Sequence, residues 1–478
     1  MPVNLSKSIS WMNADADEQR MLESLQGNIL KGHGRKLTTN IFFKIDPTKQ
    51  PQMRAALRDI AANHMMSAFR QLREAQAFSE GGRPGGVFVA AFLTATGYHA
   101  LGVPDASTPD DGSFRLGMKG ADLGDAPTNS WDTEFQHQID GMILIGGTAS
   151  EIASTRTAIV AIIHGGGGTV VKEQAGKAIA NASGDGIEHF GYVDGRSQPL
   201  PLLEDLVVEE NSGGIDQWNA GAPLNVALVP DRGAADGVSF GSYFIFRKLD
   251  QNVRGFKRHE LDLANALKLT GDDRERAGAM VVGRFEDGTP LTLSKDATGG
   301  APPNNFNYDQ DVAGTMCPFH AHIRKTNPRG TGGFEAPADE RKHLMIRRGI
   351  PFEDVPRNPE PKDLPEADTD EEFEAKVAPL LPTGDVGLLF MAYNRKLADQ
   401  FEFTQKNWVN NLGFPANGGP EMLDPVIGQK AGQMIKQAWP NDWGNIDGGT
   451  TRFKFADFVK MRGGEYFFAP SLTFLKAL

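Results

Sequence analysis

Residues 238–253 read VSFGSYFIFRKLDQNV, an apolar and aromatic run that passes into HELDLANALKL over 259–269. The first is a strand pattern, and the second places its apolar residues at helical spacing. The same rhythm stands elsewhere in the chain. In LQGNILKGHGRKLTTNIFFKI, 25–45, a polar loop punctuated by Gly32 and Gly34 runs into the apolar, β-branched LTTNIFF, and residues 50–83 then carry helical spacing. DEQRMLESL, just before, reads as a short helix. GGVFVAAFL opens with a strand and gives way to polar turns over 104–135, and both DGMILIGG, 140–147, and RTAIVAIIHGGGG, 156–168, read as strands. DVGLLFMAYNR, 385–395, is a further strand, followed by the amphipathic LADQFEFTQKNWVNNL. This repeated strand-and-helix rhythm predicts two αβ halves, placed at 1–215 and 216–478.

The chain's 478 residues can hold a large core without covalent staples. A single cysteine, Cys317, excludes an internal disulfide framework and any CxxC metal site. A formal charge of -12 argues against a nucleic-acid partner. The first 30 residues hold no apolar run fit for a secretory signal, and no stretch reaches the roughly 20 apolar residues of a membrane span. A soluble, cytoplasmic chain without a membrane partner is expected. GHGR and GGGG lack the spacing of a nucleotide loop and read as turns. Residues 286–315, rich in Gly, Pro, Asn and Asp, are expected outside the core, and Pro351–Glu372 as an exposed insertion.

Three segments could carry chemistry. MCPFHAHIRKTNPRG, 316–330, places His320 and His322 two residues apart, on opposite faces if the segment is extended. Neither sits in a cluster able to complete a four-ligand zinc shell, so a single axial ligand to a macrocycle suits the stretch better; a hydrogen-bonded structural histidine is the plainer reading. Arg324, Lys325 and Arg329 form either an anion clamp or a solvated charge run. In HFGYVDGRSQPL, 189–200, Gly195 lets the chain turn tightly after Asp194, whose carboxylate could shuttle a proton, although Asp-Gly turns are common on surfaces. In HLMIRRGIPF, 343–352, one of Arg347 and Arg348 can point inward while its neighbour points away.

Together these segments are similar to the dye-decolourising peroxidases. The match is ordered along most of the chain: LQGNILKGHGR near the start, FGYVDGRSQP at 190–199, SYFIFRKLDQ at 242–251, PFHAHIRKTNPR at 318–329, MIRRG at 345–349 and GLLFMAYNRKLADQFEFTQ at 387–405. The resemblance implies an α+β, duplicated ferredoxin-like fold of the dimeric α+β barrel type, with antiparallel sheets and haem in the C-terminal half. Length and the long approach from GHGR to IFF resemble the larger, fungal-like and cyanobacterial branch.

By the same resemblance, one heme b (iron protoporphyrin IX) is bound per chain. His322 stands as its proximal ligand, while His320 occupies a place where relatives usually carry a small residue. Asp194, of the GxxDG motif with Gly191 and Gly195, stands as the distal acid-base residue and Arg347 as the distal arginine. Arg329 looks like the propionate-binding arginine, Leu388 and Phe390 like apolar haem contacts, and Asp424 like the carboxylate behind the proximal histidine. The implied partners are hydrogen peroxide and aromatic or dye-like electron donors, with the chain a monomer or homodimer. Relatives pass electrons through surface aromatics, and Trp408 is the best match here, with Tyr393 second. A haem-handling protein would need the ligand and cavity but neither Asp194 nor Arg347, and a scaffold would need none of them.

A distal carboxylate has a consequence for pH. With a reference pKa of about 3.9, a carboxylate is already a base in mildly acidic water, where a distal histidine would be protonated. Dye oxidation is therefore expected to peak at acidic pH. An optimum above about pH 8 that persists in Asp194→Asn would contradict this role.

Overall fold

A computed structural model describes residues 3–234, 236–365, 367, 369–429 and 434–478. Eight main strands alternate with helices: β1 (Leu37–Ile45), β2 (Phe88–Leu93), β3 (Gly141–Gly147), β4 (Gly168–Lys177), β5 (Phe240–Gln251), β6 (Ile350–Glu353), β7 (Val386–Asn394) and β8 (Val459–Ala469). The helices include α1 (Ala16–Ser24), α2 (Gln50–Asn63), α3 (Ala68–Gly81), α4 (Ala149–Gly165), α5 (Val253–Ala266) and the short α6 (His322–Thr326). The first four strands pair antiparallel in the order β4-β1-β3-β2, and the second four in the order β8-β5-β7-β6. Numbered within each half, both orders are 4-1-3-2. This is the duplicated antiparallel α+β arrangement.

The two sheets meet where Phe468 of β8 pairs with Leu93 of β2. Their free edges, β4 and β6, come together through side chains: Gln174 Nε2 donates to Asp354 Oδ1 at 2.9 Å, and Gly176 lies so close to Ile350 that a Cβ would sit 2.7 Å from its side chain. A glycine in a strand marks such a close approach. The aromatic rings of both halves then share one core. Phe42 of β1 contacts Phe246 of β5 and Phe467 of β8, with ring centroids 4.8 and 6.3 Å apart, and Phe92 stacks on Phe244 at 4.3 Å. A second apolar cluster lies under α5, where Phe190 stacks on Phe256 at 3.8 Å.

The segment 156–168 is not a strand. As far as Gly165 it is the C-terminal part of α4, which starts at a capping box in which Thr148 and Glu151 satisfy each other's backbone N–H groups. Ile159 and Ile163, one helical turn apart, are both buried, and this packing outweighs the β-branched composition. The strand begins only at Gly168. Residues 286–315 do lack long elements, yet Leu291, Phe306 and Tyr308 are buried. Irregular backbone carries core side chains there. Of the expected insertion, Pro351 and Phe352 belong to β6 and are buried, and Glu366 and Asp368 lie outside the described residues. No helix among the described residues is long and apolar enough to cross a membrane.

Because Phe42 joins rings of both halves, Phe42→Ala should cost about 3–5 kcal/mol. Urea unfolding should remain one transition with a lowered midpoint. A separate transition for one half, with the other unmoved, would contradict a shared core.

Candidate active site

A cavity of about 540 Å³ is lined by side chains from both halves of the chain. That is within the usual size of a ligand pocket. One wall is made by residues 186–198, which leave β4 and pack on the second apolar cluster. Glu188 knots this segment: its carboxylate accepts from Phe190 N at 2.9 Å and Tyr192 N at 3.0 Å, and burial pushes its pKa up to about 7. Asp194 N donates to Gly186 O at 3.0 Å, and Gly195, at φ 77°, takes the left-handed turn that a side chain would disfavour. The Asp194 carboxylate is thereby presented to the cavity, with one oxygen accepting from Gly195 N at 2.6 Å.

The same segment fixes Arg347. Its backbone N–H donates to Gln198 Oε1 and its Nη2 to Ser197 O, both at 3.0 Å. Burial lowers the pKa of this guanidinium, and the charge on Asp194 opposes that shift. Arg348 turns to the N-terminal loop, donating from Nε to Asn28 O at 2.9 Å and from Nη2 to Ile29 O at 3.2 Å. The NILKGHGR stretch therefore helps to close the cavity, and Asn28 holds a positive φ of 71° there. Leu388 and Phe390 alternate along β7 and line the cavity, whereas Leu389 is buried in the barrel.

Residues 322–326 form α6, not an extended segment, but the two histidines still diverge. His320 is buried edge-on against Trp439, 4.3 Å between centroids, and desolvation pushes its pKa down to about 3. It does not line the cavity. His322 does, and its Nδ1 lies 2.9 Å from Asp424 Oδ2. Asp424 is fully buried, with Oδ1 accepting from Val426 N at 2.8 Å and Ile427 N at 2.9 Å. Burial opposes charge on both groups, but their mutual attraction and hydrogen bond prevail, raising the pKa of His322 and lowering that of Asp424. With Nδ1 committed, His322 Nε2 has no hydrogen-bond partner among the described residues.

The three cations after His322 are not a solvated run. Arg324 is buried in an ion pair with Asp311 at 2.8 Å. Lys325 donates to Asn411 O at 2.8 Å, Phe414 O at 2.7 Å and Met422 O, and burial pushes its pKa down to about 7. These bonds anchor α6 to the loop that leads into Asp424. Arg329, also buried, donates to Asn304 O at 2.7 Å and Ser197 Oγ at 2.9 Å, and its guanidinium lies 3.7 Å from the Phe306 ring centroid. Arg284, unnoticed in the sequence because it precedes the irregular stretch, lies over the same ring at 5.1 Å. Neither Arg284 nor Arg329 pairs with a carboxylate among the described residues, and desolvation pushes their pKa values down to about 10 and about 9.

These features fit one kind of ligand. Two buried guanidiniums without carboxylates call for acid groups, and the apolar walls call for a largely apolar body. No group of three or more His, Cys, Asp or Glu among the described residues is placed to hold a metal. A metal bound here would bring its own ligand set and take one imidazole nitrogen, as a haem does. The aromatic relays expected at the surface are buried: Tyr393 lies in the barrel core, and Trp408 is 3% exposed.

Comparison with known proteins gives the site its setting. The DyP dimeric alpha+beta barrel domain matches residues 24–178. The chain is 47% identical to a multifunctional dye peroxidase, DyP2, of an Amycolatopsis species, over the whole of both chains, and 31% identical to a dye-decolorizing peroxidase of Exidia glandulosa, over 99% of this chain and 91% of that one. The solved Amycolatopsis DyP2 structure superposes with a TM-score of 0.92 over the whole of both chains at 46% identity. A DyP-type peroxidase of Anabaena gives 0.87 at 36% identity, over 98% of this chain and 96% of that one.

In cofactor-free protein, Asp424→Asn should lower the His322 pKa, followed by ring-proton NMR. His322 is held above its unfolded value, so its contribution to stability is complete below about pH 6.5 and fades as pH rises through the folded value. The variant should lose that contribution. An unmoved His322 titration would contradict the coupling.

Proposed function

The chain belongs to the dye-decolourising peroxidase family, and on that premise we propose that the cavity is a haem peroxidase centre with the following division of labour. The enzyme is a haem-dependent peroxidase that reduces hydrogen peroxide to water and oxidises dyes, phenols or other aromatic donors in one-electron steps. One heme b per chain would be held in the C-terminal half, 216–478, with the N-terminal half, 1–215, contributing the Asp194 loop. His322 would ligate the iron through Nε2, and Asp424 would orient the imidazole and raise its donor strength through Nδ1. Arg329 would take a propionate, and Gly195, Leu388 and Phe390 would line the ring. Haem, when bound, supplies an iron centre that takes two oxidising equivalents from peroxide and spends them singly on donors.

The chain's own part is proton transfer and charge stabilisation. Asp194 accepts the proton from the nearer peroxide oxygen and delivers it to the departing one, so that water leaves. Arg347, fixed by Ser197 and Gln198, stabilises the negative charge that develops on the departing oxygen. The observation that carries this reading is that an unpartnered His322 Nε2 shares one cavity with Asp194 and Arg347. A haem-transfer protein has no use for that distal pair. Length and the near end-to-end match to the Anabaena protein support the larger, fungal-like and cyanobacterial branch.

Stopped-flow mixing of haem-loaded protein with hydrogen peroxide tests these roles. Asp194→Asn and Arg347→Leu should each slow the peroxide-induced change of the visible spectrum by about 10²–10³-fold. A change as fast as wild type in the double variant would remove both residues from the mechanism.

A further inference from the structure

A second hollow, of about 160 Å³, opens beside the main cavity and shares no lining residue with it. Phe334, Phe403, Trp408 and Phe414 form its walls, and Glu335 and Asn407 add polar groups. Phe334 is 65% exposed, and its ring stacks at 6.2 Å on Phe414, which stacks at 5.3 Å on Trp408. A cavity of about 150 Å³ holds benzene, so this hollow has room for one aromatic ring.

His343 joins the hollow to the main cavity, which it lines. Its imidazole lies flat on Phe403, 3.7 Å between centroids and 1° between planes, and edge-on to Trp408 at 5.2 Å. Its Nδ1 contacts the backbone carbonyl of Asp399, and its Nε2 lies 2.8 Å from Glu335 Oε2. A carbonyl only accepts, so Nδ1 carries a hydrogen. Nε2 and Oε2 therefore share one proton, and in its ionised form Glu335 keeps Oε1 as a further acceptor. The neighbouring Glu340 is already engaged by Gly330 N at 2.7 Å and Gly332 N at 2.8 Å.

We propose that this hollow is a donor site for one-ring phenols, in which Glu335 takes the phenolic proton while the electron leaves through Trp408 and His343 towards the main cavity. The inference rests on the peroxidase reading, which supplies the oxidant. The O–H bond of the phenol breaks, its proton passes to the Glu335 carboxylate, and its electron fills one of the two oxidising equivalents that peroxide leaves in the main cavity. A phenoxyl radical departs. Two phenols and one hydrogen peroxide thus yield two phenoxyl radicals and two waters. Aromatic walls select the ring, and the carboxylate selects a ring that must lose a proton when it is oxidised.

The test uses holoenzyme with 2-methoxyphenol, which loses a proton on oxidation, and ferrocyanide, which does not. Glu335→Gln should lower the ratio of phenol to ferrocyanide kcat by about 10²-fold and change the solvent deuterium isotope effect on phenol turnover. Phe334→Ala should raise the KM for 2-methoxyphenol about 3- to 10-fold. It should weaken 4-fluorophenol binding, read by fluorine NMR without peroxide, by the same factor. A wild type that oxidises neither donor would overturn the peroxidase reading and this one with it. Oxidation of both donors, with the ratio and the fluorophenol affinity unchanged in the two variants, would overturn the donor site alone.

Discussion

The structure depends on how it buries positive charge around one cavity. Arg284, Arg329, Arg347 and Arg348 all line it, all have pKa values lowered by desolvation, and Asp194 is the carboxylate that most directly opposes the shift on Arg347. Bringing a guanidinium out of water costs several kcal/mol unless its donors are satisfied. Backbone carbonyls do this here: Asn28 and Ile29 for Arg348, Ser197 for Arg347, Asn304 and Phe306 for Arg329. Each carbonyl belongs to an irregular segment. The loops are therefore tied to buried side chains, and the remaining positive charge favours a ligand that brings acid groups of its own.

The duplicated fold makes this arrangement possible. Two 4-1-3-2 sheets share a core, and the long connections between their strands are left to build the site. Residues 186–198 follow the last strand of the first sheet, α6 lies in the connection between β5 and β6, and Arg347 lies three residues before the start of β6. Asp424 lies between β7 and β8. The side chains facing the cavity thus come from distant parts of the chain, and the barrel holds them in register. Lys325 adds a direct link, tying α6 to the loop that ends in Asp424.

Much of the fold could be read from local pattern, and the exceptions have physical causes. LTTNIFF and GLLFMAYN are strands because their β-branched and aromatic residues lie in one shared core. RTAIVAII carries similar residues yet is helical, because the Thr148–Glu151 cap starts a helix upstream and Ile159 and Ile163 then fall on one face. The cap lies upstream of the β-branched run, whose own composition does not reveal it. Phe306 and Tyr308 were hidden by the Gly, Pro and Asn around them, which signal irregular backbone but say nothing about burial. Arg284 has no local signature at all, since its function depends on a ring 22 residues further on. For His322 and Asp424, separated by 102 residues, spacing carries no information, and only the family resemblance suggested pairing them.

On the proposed reading His322, and not its neighbour His320, offers the nitrogen that would bind a haem iron. Stoichiometric titration of cofactor-free protein with haem, read by the Soret band and by electron paramagnetic resonance, tests it most directly. Wild type and His320→Ala should bind one haem per chain with a histidine-ligated spectrum, and His322→Ala should lose that axial signature. An unchanged axial signature in His322→Ala would place the iron ligand on another residue.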